Sequence, residues 1–281
     1  MTYTLAVKIL TLLDLIFIAM LSISGSVSGL ISELVYYLAF IVPITVGYFF
    51  SLKLKLRREE VAGVAEETDR LFKLDKSIGK GLLPIIAPSV AVIFSISLLT
   101  SLVLSLFGAS TPAVEKTDIT TMLLVHALIP AIFEEMLFRY IPMKLIAPYS
   151  KRFSVFYSAL CFALIHCSFS QMPYAFAAGV LFMAVDVAFR SVWPSVILHF
   201  INNAASVVWI KYCDTVTSSL IYIGILILLT LISSLFILKR KAEYRKLISS
   251  AFEKGESAVY TPAIIALILI CVYFATTNLY V

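Results

Sequence analysis

The stretch IFEEMLFRY, residues 132–140, places two adjacent glutamates and an arginine inside a segment that is otherwise apolar enough to cross a membrane. A charged side chain at the centre of a bilayer costs at least about 2.5 kcal/mol, so such residues are rare there and face a bundle interior or a water-filled cavity. They commonly belong to a functional site. The stretch therefore predicts a membrane helix with a polar face turned toward other helices.

The rest of the chain has the composition of a membrane protein with many spans. It contains 281 residues, of which 61% are hydrophobic and 14% are charged, whereas about 25% of residues are charged in a typical soluble domain. Apolar runs of about 20 residues, the length that crosses a hydrocarbon core, recur from one end to the other. We predict an all-α, polytopic transmembrane helical bundle with eight or nine spans, folded as one integral membrane domain over residues 1–281.

Nine apolar segments define the predicted spans. They cover residues 5–27, 34–52, 82–107, 121–146, 153–170, 173–190, 193–210, 216–238 and 259–279. Lys and Arg are concentrated in the loops after the second, fourth, sixth and eighth segments, which places those loops and the N-terminus in the cytoplasm by the positive-inside rule. The first segment is too long for the apolar region of a signal peptide and lacks an A-x-A cleavage site, so we expect a retained span.

The charged residues outside the spans narrow the classes of partner. Residues 53–80 mix basic and acidic residues with scattered apolar ones, which predicts a cytosolic amphipathic helix or helical hairpin on the membrane surface, or else a charged linker. The net charge of +5 comes from basic residues at span ends, so nucleic acid is not an expected partner. The four cysteines include no CxxC pair, and a disulfide framework is not indicated.

The two glutamates of the fourth segment are predicted to have different roles. Glu135 and Arg139 are four residues apart with the acid first, the favourable order for an ion pair on one helix face. Glu134 lies about 100° around the helix from its neighbour and has no obvious partner on its own helix, which suits a general base or acid. Alternatively, another helix supplies a cation and all three residues are structural.

Two other segments offer polar side chains at helical spacing. Phe162 and His166 are four residues apart in the fifth, and His199 and Asn203 are four apart in the seventh. Because lipid penalises each polar face separately, the three faces are expected to converge on one hydrated cavity. A carboxylate beside imidazoles activates water, and His and Asn side chains donate hydrogen bonds to a developing oxyanion. Together these groups are the parts of an amide hydrolase.

Further ionisable groups inside predicted spans have weaker functional signals. His126, near the outer end of the fourth segment, is expected to be structural or interfacial. Asp186 and Arg190 are four residues apart, which predicts an ion pair, with Asp186 lining the cavity as the alternative. Asp14, in the middle of the first segment, needs a partner from Lys8 or from another helix.

Three motifs in order resemble those of a known family. EExxxR at residues 134–139, FxxxH at residues 162–166 and HxxxN at residues 199–203 stand in three different apolar segments. This pattern resembles the CAAX protease and bacteriocin-processing family, which includes the Ras-converting CAAX endopeptidase and many prokaryotic homologues. The resemblance covers a motif-bearing core of about residues 121–210. It implies that the ion pair of the fourth helix has a structural role beside the site.

The resemblance implies an intramembrane glutamate protease. By it, Glu134 and His166 activate the water that attacks the scissile carbonyl, and His199 and Asn203 stabilise the oxyanion. The implied mechanism needs no metal cofactor, although Glu134, His166 and His199 also form a plausible zinc ligand set. Asn202 competes for the role of Asn203, but only Asn203 lies one turn from His199.

The substrate expected from the resemblance is a membrane-associated peptide or protein, prenylated or otherwise hydrophobic, cleaved near its C-terminus. The expected partners are then membrane lipid and this substrate. The expected location is a cell membrane, and the short chain favours a prokaryotic one. Three alternatives stay open: a non-catalytic immunity or scaffold protein of the same family, a zinc-dependent intramembrane protease, and a transporter whose buried acids and histidines relay protons.

Overall fold

The computed structural model describes residues 3–62, 76–106, 117–253 and 261–277, together with Gly255 and Ser257. These residues form ten helices, and no strand occurs among them. The helices are α1 (Tyr3–Ser26), α2 (Leu30–Ala62), α3 (Lys76–Leu106), α4 (Ile119–Leu145), α5 (Lys151–Leu164), α6 (Met172–Phe189), α7 (Trp193–Tyr212), α8 (Val216–Lys239), α9 (Lys241–Ala251) and α10 (Pro262–Thr277). The prediction of an all-α helical bundle is confirmed.

Six helices are long and apolar enough to cross a membrane: α1, α2 as far as Lys53, α3 from Gly81, α4, α6 and α8. The chain is therefore an integral membrane protein. The helices of the other three predicted segments differ from full spans. At about 1.5 Å per residue, α5 with 14 residues and α10 with 16 residues reach only about 21 and 24 Å, against about 30 Å for a hydrocarbon core. The polar side chains of α7 keep its hydropathy below that of the six.

The predicted cytosolic segment 53–80 is partly a continuation of membrane helices. The second helix runs without interruption to Ala62, and the third begins at Lys76. Residues 63–75 lie outside the described residues, so a hairpin on the membrane surface stays a prediction for that part. The helical extension follows from the Lys, Arg and Glu residues of this segment, which favour helix.

The first helix packs its mid-span carboxylate against α5. Asp14 is buried, and the hydroxyl of Tyr157 donates a hydrogen bond to its Oδ2 atom at 2.9 Å. The partner that the sequence required for this carboxylate is thus on another helix rather than at Lys8. A satisfied buried carboxylate anchors α1 to the bundle, because an unpaired one costs far more in this setting.

The fourth helix carries two wide π-helical turns that flank its glutamates. Leu124–Leu128 and Met136–Tyr140 adopt this geometry on either side of a regular stretch, Ile129–Glu135. Such π turns often occur at functional sites and alter which side chains share a face.

Asp118 caps the N-terminus of α4. Hydrogen bonds from the Thr121 side chain and backbone lower the pKa of this carboxyl.

A proline near the end of α4 leaves a backbone carbonyl available for a hydrogen bond from α5. Because Pro142 has no N–H group, the carbonyl four residues earlier, at Phe138, has no regular helical donor. The hydroxyl of Ser158 in α5 donates a hydrogen bond to this carbonyl, and the serine is fully buried. The proline therefore frees an acceptor that fixes the fourth helix, and with it the glutamates, against α5.

The backbones of α5 and α6 approach each other closely at Gly179, and we expect Gly179→Ala to destabilise the bundle. A Cβ at this position would lie 2.7 Å from the Cα atom of Ala159, and backbone atoms cannot rotate away. Since overpacking costs about 1–3 kcal/mol, the midpoint of thermal unfolding in detergent should fall. Gly224→Ala is the matched control, because nothing lies within 4 Å of its added Cβ. Equal midpoints for the two variants would contradict this packing.

Candidate active site

A buried ion pair forms the base of the candidate site on α4. The Nε atom of Arg139 lies 3.2 Å from Oε2 of Glu135, and both side chains are 0% exposed. The arginine guanidinium also lies 4.3 Å above the ring centre of Phe162 in α5, a favourable cation–π arrangement. Arg139 lies in the π turn that begins directly after Glu135. The two charged groups nevertheless meet at a spacing of four residues.

Glu135 has a second partner that spacing along one helix could not reveal. Its Oε1 atom lies 2.7 Å from Nδ1 of His199 in α7. Because the carboxylate stands between a guanidinium and an imidazole, its two oxygens have separate partners. The glutamate described above as a structural residue is therefore also in direct contact with a predicted site residue.

Glu134 lies on a different side of α4 and is the less buried of the two acids. Its side chain is 15% exposed, and its Oε2 atom lies 3.8 Å from Nε2 of His199. His199 is thus placed between both glutamates, with one ring nitrogen toward each. Tyr36 of α2 and Tyr174 of α6 lie within electrostatic reach of the Glu134 carboxylate. Neither tyrosine has a motif or a spacing that distinguishes it from the other tyrosines of the chain.

His166 follows directly on the C-terminal end of α5, and its orientation is set by a local hydrogen bond. The Nδ1 atom lies 2.7 Å from the carbonyl oxygen of Phe162. Because a carbonyl only accepts, Nδ1 carries the proton of the neutral ring and Nε2 is left as a proton acceptor. The ring of Phe162 touches both histidines edge-on, with centroid distances of 5.1 Å to His166 and 5.7 Å to His199.

Phe162 is therefore the central apolar residue of the site. Its ring contacts both imidazoles and lies under the guanidinium of Arg139. His166 and His199 are close enough to interact electrostatically. The phenylalanine of the FxxxH motif thus has a physical role, which is to hold three charged or polar groups at fixed spacing in an apolar wall.

Asn203 is placed one turn after His199 on α7, in a half-buried position. Its Oδ1 atom accepts a 3.5 Å hydrogen bond from Nδ2 of Asn202, which leaves its own Nδ2 group to donate. Among the described residues it makes no direct hydrogen bond with the glutamates or with His166. The structure therefore brings Glu135, Arg139 and His199 into direct contact and places Glu134 at 3.8 Å from His199. It adds His166 through Phe162, and Asn203 lies one turn after His199 on α7.

The start of α7 is fixed by Asp186 of α6. Its Oδ1 atom accepts a 2.8 Å hydrogen bond from the backbone N–H of Ser195, one turn before His199. The predicted ion pair with Arg190 is wrong, because Arg190 ends α6 in a left-handed conformation with φ of 53° and is exposed. A carboxylate at a helix N-terminus stabilises the helix, so Asp186 sets the position of the histidine indirectly. His126 is exposed and stands apart from the site.

The zinc alternative uses the same side chains. In the part of the chain that the structure describes, no three His, Cys, Asp or Glu residues are grouped so that they could hold a metal ion. The Nδ1 atoms of both site histidines have oxygen partners, which is also the usual arrangement of histidines that bind a metal through Nε2. The zinc ligand set of Glu134, His166 and His199 therefore stays an alternative.

The comparisons with known proteins agree with the motifs. Residues 116–205 match the family model described as Rce1-like, type II CAAX prenyl endopeptidase. The matched segment holds every residue of the site except the tyrosine of α2, and it confirms the resemblance drawn from the three motifs. At family level the match supports a CAAX-type intramembrane protease. Neither the curated proteins nor the solved structures compared with the chain gave a match.

Proposed function

Taking the family match as the premise, we propose that this protein is an intramembrane endopeptidase of the CAAX type. On this proposal, water activated by a glutamate hydrolyses a peptide bond near the C-terminus of a membrane-associated substrate. The observation that carries the proposal is the approach of the Glu134 carboxylate to the imidazole of His199, 3.8 Å between Oε2 and Nε2. The pair lies between α4 and α7, within the segment that matches the family.

Glu134 and His166 are the proposed groups that activate water. Glu134 has no ion-pair partner of its own on α4, because Arg139 lies against Glu135. His166 offers an unprotonated Nε2 atom, since its Nδ1–H is bound to the Phe162 carbonyl. A carboxylate and a neutral imidazole that share one water remove its proton as the oxygen attacks the scissile carbonyl.

His199 and Asn203 are the proposed groups that stabilise the oxyanion. They lie one turn apart on α7, and the free Nδ2 group of Asn203 provides a neutral donor. In a site without bulk water, removal of one fixed donor lowers kcat by about 10²–10³-fold, which corresponds to several kcal/mol of transition-state stabilisation. Phe162 lies against Arg139, whose ion pair with Glu135 is fully buried, so this pair is shielded from bulk water.

The substrate class follows from the setting of the site. The site residues stand on helices of a membrane bundle, so a substrate must present its scissile bond at the membrane. A farnesylated peptide ending in a CAAX sequence is the probe that the family match suggests. We expect purified protein in detergent or liposomes to cleave it and to cleave the unlipidated peptide less well. No product from either peptide would contradict the proposal.

Metal removal tests the zinc-dependent alternative. We expect cleavage to persist after exhaustive chelation, in protein whose metal content has been measured by elemental analysis. The physical reason is that the proposed steps use only side-chain proton acceptors and donors. Activity that is lost on chelation and regained with Zn²⁺ alone would favour the metalloprotease.

The non-catalytic alternative makes a different prediction for the same peptide. An immunity or scaffold protein would bind the lipidated peptide, leave it intact by mass spectrometry, and bind it equally well when Glu134 is replaced by Gln. A transporter would instead show flux in liposomes. The endopeptidase proposal requires a shorter peptide product with a new C-terminus.

A further inference from the structure

The two ring nitrogens of His199 face two different carboxylates. Nδ1 lies 2.7 Å from Glu135 and Nε2 lies 3.8 Å from Glu134. Glu135 is fully buried and is held on its other oxygen by the guanidinium of Arg139 at 3.2 Å. The histidine ring is therefore fixed by one carboxylate while its second nitrogen points to the other.

The arginine decides which nitrogen of His199 carries the proton. A guanidinium is always protonated in proteins, so the carboxylate beside it is held in its ionised form. An ionised carboxylate only accepts hydrogen bonds, so the hydrogen of the short contact with Glu135 belongs to Nδ1. In the neutral ring, Nε2 then has a lone pair and no hydrogen.

This tautomer has a consequence for the oxyanion role of His199. A lone pair on Nε2 cannot donate a hydrogen bond to a developing oxyanion. His199 can donate only after it has gained a second proton on Nε2. The nearest group that could hand it one is Glu134, across 3.8 Å, a gap that a small rotation of the glutamate side chain or one bridging water would close.

We propose that Glu135 is a positioning residue that fixes His199 as the Nδ1–H tautomer and stabilises its imidazolium, so that Nε2 carries a proton from Glu134 to the leaving amine. The proposal rests on the endopeptidase function above and assigns it a proton route. The water oxygen bonds to the carbonyl carbon while one water proton passes to Glu134 and then to Nε2. Nε2–H donates to the oxyanion, and its proton moves to the peptide nitrogen as the carbon–nitrogen bond breaks.

The groups around His199 suit a ring that gains and loses a charge. Apolar rings cover its faces, with the centroid of Phe182 at 5.6 Å and that of Phe162 at 5.7 Å. The charged or titratable groups within electrostatic reach of His199 or of its partner Glu135 are Glu134, Glu135, Arg139, His166 and Asp186. Of these, Glu135 alone contacts Nδ1, so it is the group that balances an imidazolium.

Glu135→Gln tests the proposal because it should reverse the tautomer. The guanidinium of Arg139 only donates, so it should draw the amide oxygen of the new side chain toward itself. The amide NH₂ then faces Nδ1 of His199, and the ring must carry its hydrogen on Nε2. We expect kcat to fall by about 10²–10⁴-fold, as when a triad histidine is held in the wrong tautomer, with KM changed less than threefold. Glu135→Asp, which keeps the charge, should retain more activity.

The tautomer itself can be measured without activity. The chain contains three histidines, so protein labelled with ¹⁵N in the imidazole rings should give few signals, assigned with His126→Gln and His166→Gln. We expect the signals of the neutral His199 ring in the wild type to show a protonated Nδ1 and an unprotonated Nε2, and Glu135→Gln to reverse them. Glu253→Gln is the matched control, because it makes the same change at an exposed pair with Lys151.

Different results would contradict the endopeptidase function and the positioning role of Glu135. If the wild type cleaves no peptide, the endopeptidase function fails, whatever the tautomer. If the wild type cleaves and Glu135→Gln cleaves with the same kcat, the positioning role is overturned. An unprotonated Nδ1 in wild-type His199 would overturn it even if Glu135→Gln does not fold, and a changed pH profile of kcat in Glu135→Asp with unchanged KM would support it.

Discussion

Replacement of Glu134 by Gln is expected to reduce cleavage of the lipidated peptide by about 10²–10⁴-fold, the usual contribution of a general base. The amide has the shape of the carboxylate but cannot accept the proton of the attacking water. Because the Glu134 side chain is 15% exposed and is not part of the contact with Arg139, the fold should not depend on its charge. The measurement is kcat, with the unfolding midpoint recorded for the same preparation.

Two further variants show whether the effect of Glu134→Gln is specific to this carboxylate. Glu134→Asp keeps a base but moves it back by one methylene, so we expect an activity between those of the wild type and Glu134→Gln. Glu253→Gln makes the same chemical change on the surface and should leave kcat as it is. Cleavage by Glu134→Gln within threefold of the wild type would remove this residue from the chemistry.

Arg139→Met is expected to lower the free energy of unfolding by about 3–5 kcal/mol, the cost of breaking a buried ion pair on one side. The guanidinium is 0% exposed, and its loss leaves Glu135 buried without its cation. Methionine fills a similar volume without offering a donor, so the loss is one of charge more than of packing. Thermal unfolding in detergent measures the effect, with the midpoint compared under identical lipid and detergent conditions.

The double variant Glu135→Gln with Arg139→Met separates charge from packing. Since replacing both members of a buried pair by neutral groups is often close to neutral, the double variant should be more stable than Arg139→Met alone. Activity should fall in both variants, because neither retains the pair of an ionised Glu135 carboxylate and the Arg139 guanidinium that fixes the tautomer of His199. A double variant that is less stable than Arg139→Met would show that the two residues do not balance each other.

The contacts within one helix could be predicted from the sequence, and those between helices could not. The spacing of Glu135 and Arg139 predicts a pair, and the structure places their charged atoms 3.2 Å apart. The contact of Glu135 with His199 depends on how far α7 is shifted along its axis relative to α4. This shift is set by non-local contacts such as the hydrogen bond from Ser195 to Asp186, which the periodicity of the sequence does not predict.

Among the described residues, six helices are long and apolar enough to cross a membrane, whereas the apolar pattern marks nine segments, and α5 shows a physical reason for the difference. Hydropathy counts apolar residues whether they face lipid or protein, and α5 is apolar because it is packed inside the bundle. Val155, Ala159 and Cys161 of this helix are almost entirely buried. A helix of 14 residues therefore resembles a span in composition without the length to cross one. Because α5 ends at Leu164, His166 lies just beyond the helix and against the ring of Phe162.

The wide turns of α4 had a signal in the sequence. Pro130 and Pro142 each lack the N–H group that a regular helix needs, and each follows directly on a residue bordering a π turn. Proline marks where the hydrogen bonds of the helix are interrupted, but it does not tell which group donates a hydrogen bond to the freed carbonyl. The link from Ser158 to the Phe138 carbonyl became visible only with the neighbouring helix in place.

The most direct test of the central claim is the fate of oxygen during cleavage. Metal-depleted wild-type protein in liposomes is given the farnesylated peptide in H₂¹⁸O, and the products are analysed by mass spectrometry beside those of Glu134→Gln. We predict a shortened peptide whose new carboxylate carries ¹⁸O from the wild type, and almost none from the variant. An intact peptide from the wild type, or equal ¹⁸O-labelled product from both proteins, would contradict an endopeptidase that uses Glu134 to activate water.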